Sequence, residues 1–401
     1  MTSWARAAEL FQVVDPEFTT WTAEQEHAHA LWSTLVNDRM LLFYPTGKGK
    51  TKTSLGLMVD AGYDRILVVA PPRTHPAWRM DAIALDLDII VMSHAKFRMD
   101  STKFQKGRAI IVDEFHLLGG HGATGWKKLD RNATGFPAII LSSATPEYND
   151  AERAYCVAHV LDPVNNTGGF NHWIHKHCET KVNPFASTPY VLGFLNYAGA
   201  AEFLVDQGYT AYVRDEAEWA ETTFMLPDHR DDWFEKYNYD RYQHKMIASD
   251  MEKRHRRAVL DRVNPNTGLL WDDVTVALIE QLEKSPAPWL LFCFHATIAE
   301  AVHRSPLRHL GWQTLIITGD DTSKTSEYSK KQFIESEDAR RVLVGSGTLA
   351  TGTDGLDKVC SQLMIFDAQA GDPSFKRQLI GRVLPRGLTD RPTSVVEAIT
   401  E

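Results

Sequence analysis

The chain has 401 residues, 43% of them hydrophobic and 24% charged, with a formal net charge of −9. That length and apolar content suit roughly two or three ordinary cores, and no apolar run reaches the length of a membrane span. The acidic balance argues against a protein that coats nucleic acid by bulk charge, though it leaves a locally basic cleft open. Four cysteines at irregular spacing, and a start (MTSWARAAELFQ) unlike a secretory signal, point to a reducing, cytoplasmic setting.

In chain order, the first strong signal is LLFYPTGKGKTKTSLGL, Leu41 to Leu57. Met40 to Tyr44 reads as a buried strand and the residues from Lys52 as a helix start. Between them, Thr46-Gly47-Lys48-Gly49-Lys50-Thr51 has the strand–loop–helix layout of a phosphate-binding loop. Its glycines let backbone N–H groups curl around an anion at the positive end of the helix. Lys50 is then placed for the β- and γ-phosphates of a nucleotide and Thr51 for a magnesium ion. Tyr44 stands where the usual first glycine falls, so the stretch taken alone also fits a basic turn that caps a helix.

Further β-branched runs follow: RILVVAPP (Arg65 to Pro72), LDIIVMS (Leu87 to Ser93), AIIVDE (Ala109 to Glu114) and AIILSSA (Ala138 to Ala144). The spacers between them are long enough for crossover helices, the pattern of a parallel sheet. A mixed stretch rich in aromatics and histidines runs from about Tyr148 to Glu221. A boundary is expected near TTFMLPDHRDD, dividing the chain into residues 1–226 and 227–401. The second block repeats the grammar with WLLFCF (Trp289 to Phe294), TLIITG (Thr314 to Gly319), RVLVGS (Arg341 to Ser346), LMIFD (Leu363 to Asp367) and SVVEAI (Ser394 to Ile399). Two open parallel α/β sheets in one chain imply a cleft between them.

The phosphate loop has a complement in IIVDEFH, a buried strand ending in Asp113-Glu114-Phe115-His116. Adjacent carboxylates at a strand end are costly unless a cation or water network receives them. A magnesium ion on Asp113, with Glu114 aligning and deprotonating an attacking water, meets that need in an NTPase.

These motifs, with SSATP (Ser142 to Pro146) and QLIGRVLPR (Gln378 to Arg386), resemble in order those of superfamily 2 DExH-type helicases and translocases. Within that superfamily, the tryptophan of APPRTHPAW and the long insert after SATP are similar to Swi/Snf-type translocases. The SATP itself and a lobe that stops soon after its last motif are similar to phage branch-migration helicases. The resemblance runs from Trp21 to Arg386. It implies two tandem RecA-like domains with an ATP cleft between them and a helical insert in the first lobe from about residue 148. It assigns Gln25 to adenine, Asp354 to ribose, and Arg382 to the γ-phosphate. Arg386 is one residue past the family's second arginine position, which Pro385 occupies. Ser143, Thr145 and Gln378 match residues that couple hydrolysis to the nucleic-acid track. On that track the resemblance places Pro71, Arg73, Ser93, His94, His295, Thr318 and Thr348, gripping the sugar–phosphate backbone largely without reading sequence.

Two clusters stay open at this level. The basic run MEKRHRRAVLDR (Met251 to Arg262) is either part of the track or a solvated helix face. Cys156, His159, His172, His175, His177 and Cys178 are either zinc ligands or core and surface residues, and their pairs lack a tight knuckle. The reading that joins these signals is an ATP- and magnesium-dependent DNA translocase or helicase acting on duplex or branched DNA, a monomeric core of phage type. RNA remodelling, or an ATP-gated clamp that moves nothing, is the alternative.

Overall fold

A computed structural model describes residues 3–16, 18–45, 47–99, 107–144, 151–166, 168–182, 188–213, 220–227, 229, 259, 261–319, 321, 323–346, 355–367, 376, 379–380 and 394–400. The chain divides into two compact units, Met1–Asp215 and Glu216–Glu401. Each is built on its own six-stranded sheet.

In the first unit the strands are β1 (Arg39–Phe43), β2 (Arg65–Val69), β3 (Asp88–Met92), β4 (Ala109–Asp113), β5 (Ile139–Ser143) and, after an excursion, β8 (Thr210–Tyr212). Their order across the sheet is β3-β2-β4-β5-β1-β8, and every pairing is parallel. The runs are apolar at nearly every position because both faces are covered. Successive side chains alternate between two cores. Met40, Leu42, Ile66, Val68, Ile111 and Ile140 pack with Trp4, Phe11, Trp21 and Trp78, which come from helices Ser3–Val14 and His75–Ala84 and the loop before helix Ala23–Trp32. Leu41, Leu67, Val69, Ile110, Val112 and Leu141 pack on the other side with Phe97, Trp126, Trp173 and Phe203. Burying each such large side chain contributes about 1.5–3 kcal/mol, so these layers hold the strand ends in place.

The excursion between β5 and β8 differs from the helical insert that the family resemblance implied. Helices Ala151–Leu161 and Phe170–His177 lead into an antiparallel pair, β6 (Cys178–Lys181) and β7 (Tyr190–Phe194), and helix Ala200–Asp206 returns the chain to β8. A short, half-polar hairpin carries little sequence signal, and only tertiary packing on Trp173 and Phe203 defines it.

The second unit has β9 (Ala220–Leu226), β10 (Trp289–Cys293), β11 (Gln313–Ile317), β12 (Arg341–Gly345), β13 (Gln362–Asp367) and β14 (Ser394–Thr400). Their order is β11-β12-β10-β13-β14-β9, again parallel throughout. Strand β9 lies in the stretch that the sequence reading assigned to residues 1–226. Its hydrogen bonds go to β14, so it belongs to the second sheet and the division falls earlier than 226. Among the described residues no helix is long and apolar enough to cross a membrane. The four cysteines are buried and unbridged.

Candidate nucleotide site

The phosphate loop leaves the C-terminal end of β1 and runs into helix Lys50–Asp60. Gly47 and Gly49 adopt φ of 83° and 75°, the left-handed region that favours glycine. At Gly49 a side chain has no room either, since a Cβ would lie 2.5 Å from Gln25 Nε2. Lys50 Nζ donates to the loop's own carbonyls, at 3.0 Å to Tyr44 and 3.4 Å to Pro45. Lys48 is exposed and Thr51 half-buried in the helix's first turn, while Thr46 lies outside the described residues.

Two neighbours fix the loop's shape. Tyr44, in place of the missing glycine, is fully buried and its hydroxyl donates to the Glu24 carbonyl at 2.6 Å. Gln25 is buried, and its Oε1 accepts from the Thr22 amide at 2.9 Å as part of a capping box at helix Ala23–Trp32. Its Nε2 donates to Thr53 Oγ1 at 3.0 Å, and Thr53 Oγ1 in turn donates to the Gly49 carbonyl at 2.9 Å. The carboxamide assigned to adenine is thus engaged in bracing the phosphate loop.

Strand β4 ends beside this loop, with β5 between it and β1. Asp113 is 7% exposed and accepts from Ser142 Oγ at 2.9 Å, its partner across the sheet. Burial, and the charge of adjacent Glu114, push its carboxyl up to about 6, against the lowering influence of Lys50. Glu114 follows with φ 49° and ψ 52°, a left-handed conformation rare for a side chain of this length. Its carboxylate lies 3.5 Å from His116 Nδ1 and accepts from Ser143 Oγ at 3.4 Å, and Ser143 and His116 are themselves 3.3 Å apart. Glu114, His116 and Ser143 thus form one triangle joining the carboxylate pair to the end of β5.

The groups fit a magnesium ion and a triphosphate. A buried carboxylate raised by its like-charged neighbour is what a divalent cation would relieve. Thr51 and Asp113 would hold such an ion.

The proposed track residues take different places. His94 is buried, its Nε2–H donating to the Asp113 carbonyl at 2.8 Å, and burial, the largest cause, holds its pKa down at about 4. Ser93 accepts from the Lys96 amide at 3.1 Å. Pro71 is buried, and Arg73 is half-buried in the turn Pro72–Thr74. In the second unit, buried His295 gives both its backbone N–H and its ring Nδ1–H to Asp367 Oδ2. The Thr318 amide donates to Asp321 Oδ2 at 2.6 Å and its hydroxyl to the same oxygen at 3.1 Å. Thr145, Thr348, Asp354, Gln378, Arg382, Arg386 and the basic residues Lys253, Arg254, Arg256 and Arg257 lie outside the described residues.

Among the described residues no three histidine, cysteine or acidic side chains converge as metal ligands. His159 donates from Nδ1 to the Asn166 carbonyl at 2.9 Å, and burial pushes the Cys178 thiol up to about 11. His172 and His175 are exposed.

Sequence reasoning overlooked Tyr44, Thr53, Ser142 and His116 as site residues. The signal for two of them was present, since Ser142 precedes Ser143 and His116 closes the DEFH run.

No protein-family model matches the chain, and no curated protein sequence matches it. Solved structures do. Dbp5 of S. cerevisiae, bound to RNA and ADP BeF3, aligns with a TM-score of 0.56 at 13% identity, over 98% of this chain and 86% of that one. The Sulfolobus solfataricus SWI2/SNF2 ATPase core in complex with dsDNA aligns at 0.42, also at 13% identity, over 95% of this chain and 88% of the other. The likeness is one of fold: this chain is two tandem RecA-like domains.

Proposed function

We propose that the chain is a nucleic-acid-stimulated ATPase of the superfamily 2 kind, a DNA translocase or helicase. The observation that carries this reading is the meeting of Lys50 and the Asp113–Glu114 pair at one end of one sheet, close enough for the lysine's charge to act on Asp113. The motif order along the sequence and the shared fold with an RNA- and nucleotide-bound protein support it.

In this reading Lys50 exchanges the Tyr44 and Pro45 carbonyls for the terminal phosphates of ATP, and the loop amides cradle them. Magnesium, when bound, neutralises charge on the phosphate oxygens. Glu114 accepts a proton from the attacking water and aligns it, a role that needs its carboxylate held still. The contacts from Ser143 and His116 hold it. Through β5 they also tie Glu114 to SSATP, the segment matched to coupling. The family resemblance assigns Arg382 to stabilising charge on the transferring phosphoryl group.

The test is ATP turnover by the full chain with single-stranded, duplex and forked DNA and with RNA. Stimulation by duplex or forked DNA above RNA supports the DNA reading; preferential stimulation by RNA replaces it with RNA remodelling. Displacement of a strand or a bound roadblock separates a motor from a clamp.

A further inference from the structure

Helix His94–Met99 follows β3, in the stretch whose start the family resemblance gives to nucleic acid. Its side chains fasten the carboxylate segment instead. His94 Nε2–H reaches the Asp113 carbonyl at 2.8 Å, and one turn later Arg98 donates from Nη1 to the Leu117 carbonyl at 3.3 Å. Phe97 between them is fully buried with Phe115 and Leu118. The stem of Arg98 lies against Gly125, where an added Cβ would fall 3.1 Å from Arg98 Cγ. The helix therefore grips the Asp113–Leu118 segment at both ends.

The carbonyl that His94 holds belongs to the peptide joining Asp113 to Glu114, so its direction sets the backbone on either side. Glu114 sits at φ 49° and ψ 52°. Such a conformation is unfavourable for a residue with a side chain and persists only where the surroundings hold it. A rotation of that peptide plane would carry Glu114 out of the left-handed region and swing its carboxylate away from Ser143 and His116.

We propose that His94 is a positioning residue for hydrolysis, locking the Asp113–Glu114 peptide so that the Glu114 carboxylate stays on the Ser143–His116 pair. This rests on the ATPase reading above. His94→Leu keeps the buried volume and removes the donor, while His94→Gln returns an N–H at about the same reach. Met99→Ala, an exposed change on the same helix, controls for local damage.

In the full chain, His94→Leu should lower kcat for ATP about 10- to 100-fold, the scale of a small misplacement of a catalytic group, with KM within about twofold. Amide hydrogen exchange in Phe115–Gly119 should quicken in His94→Leu. His94→Gln should recover most of both, and Met99→Ala should match the wild type. A His94→Leu protein with wild-type kcat and exchange, or a His94→Gln protein as impaired as His94→Leu, would overturn the proposal. If the wild-type chain hydrolyses no ATP under any condition, the ATPase reading fails, and the exchange comparison still decides whether His94 holds this segment.

Discussion

At the C-terminal end of the first sheet, Lys50 donates to two loop carbonyls, and Asp113 stands beside Glu114 with its carboxyl raised by burial and by that neighbour's charge. At the same end of the second sheet, His295 gives two hydrogen bonds to Asp367, and Thr318 gives two to Asp321. Both ends carry polar residues in motif-like positions. The first sets two adjacent carboxylates near a lysine, while in the second each of these two carboxylates accepts two hydrogen bonds from one residue. A polar residue at a strand end is therefore not by itself a contact; whether its demands are already met decides. His295 and Thr318 are engaged within the fold of the second unit, and the chemistry proposed for that unit rests on Arg382.

The sharpest way to break this contrast is to remove the first unit's charges. Lys50→Ala should abolish measurable ATP turnover. Glu114→Gln should reduce it by about 10²–10⁴-fold, the usual weight of a general base, while ATP binding persists. Near-normal turnover in Glu114→Gln would mean that the Glu114 carboxylate is structural.

Arg382→Ala should cut turnover roughly 10³-fold with little change in ATP affinity. The same measurement on Arg386→Ala shows whether the inserted Pro385 has retired the second arginine. An unaltered rate would say that it has.

Asp367→Ala tests the other half of the contrast, because it removes the acceptor of both His295 donors. A stability loss of about 3 kcal/mol is expected from buried donors left without it, read as a lower denaturant midpoint. Loss of nucleic-acid affinity at unchanged stability would instead restore His295 to the track. The smallest effect should come from Glu300→Ala, whose ion pair with Arg304 at 3.1 Å is exposed on both sides. Less than about 0.5 kcal/mol should be lost.

Much of the architecture was legible in the sequence because buried parallel strands write themselves as largely apolar runs; β1 to β5 and β10 to β14 all arise from such runs. The short strand Thr210–Tyr212 and the hairpin of β6 and β7 were not, since neither is long or apolar enough to stand out from its flanks. Strand β9 was visible as a strand, but its lobe was not. Its partner lies at the far end of the second unit, and pairing over that separation leaves no local mark. The site divided in the same way. Lys50, Asp113 and Glu114 follow from residue type at a fixed spacing. His94 and Gln25 looked like ligand contacts, and their engagement with the Asp113 carbonyl and the phosphate loop depends on burial that no spacing reveals.

The pairing of β9 with β14 has a consequence for synthesis. β9 emerges first among the described strands of its sheet, and its described neighbour there is β14, about 170 residues later. At roughly 5–20 residues per second, the ribosome leaves it single on the order of ten seconds. A lone apolar strand would recruit other nascent chains during that interval. Glu221, Thr222 and Thr223 give this one a polar first half, and β9 remains largely exposed even after pairing. Its composition is that of a strand able to wait in water.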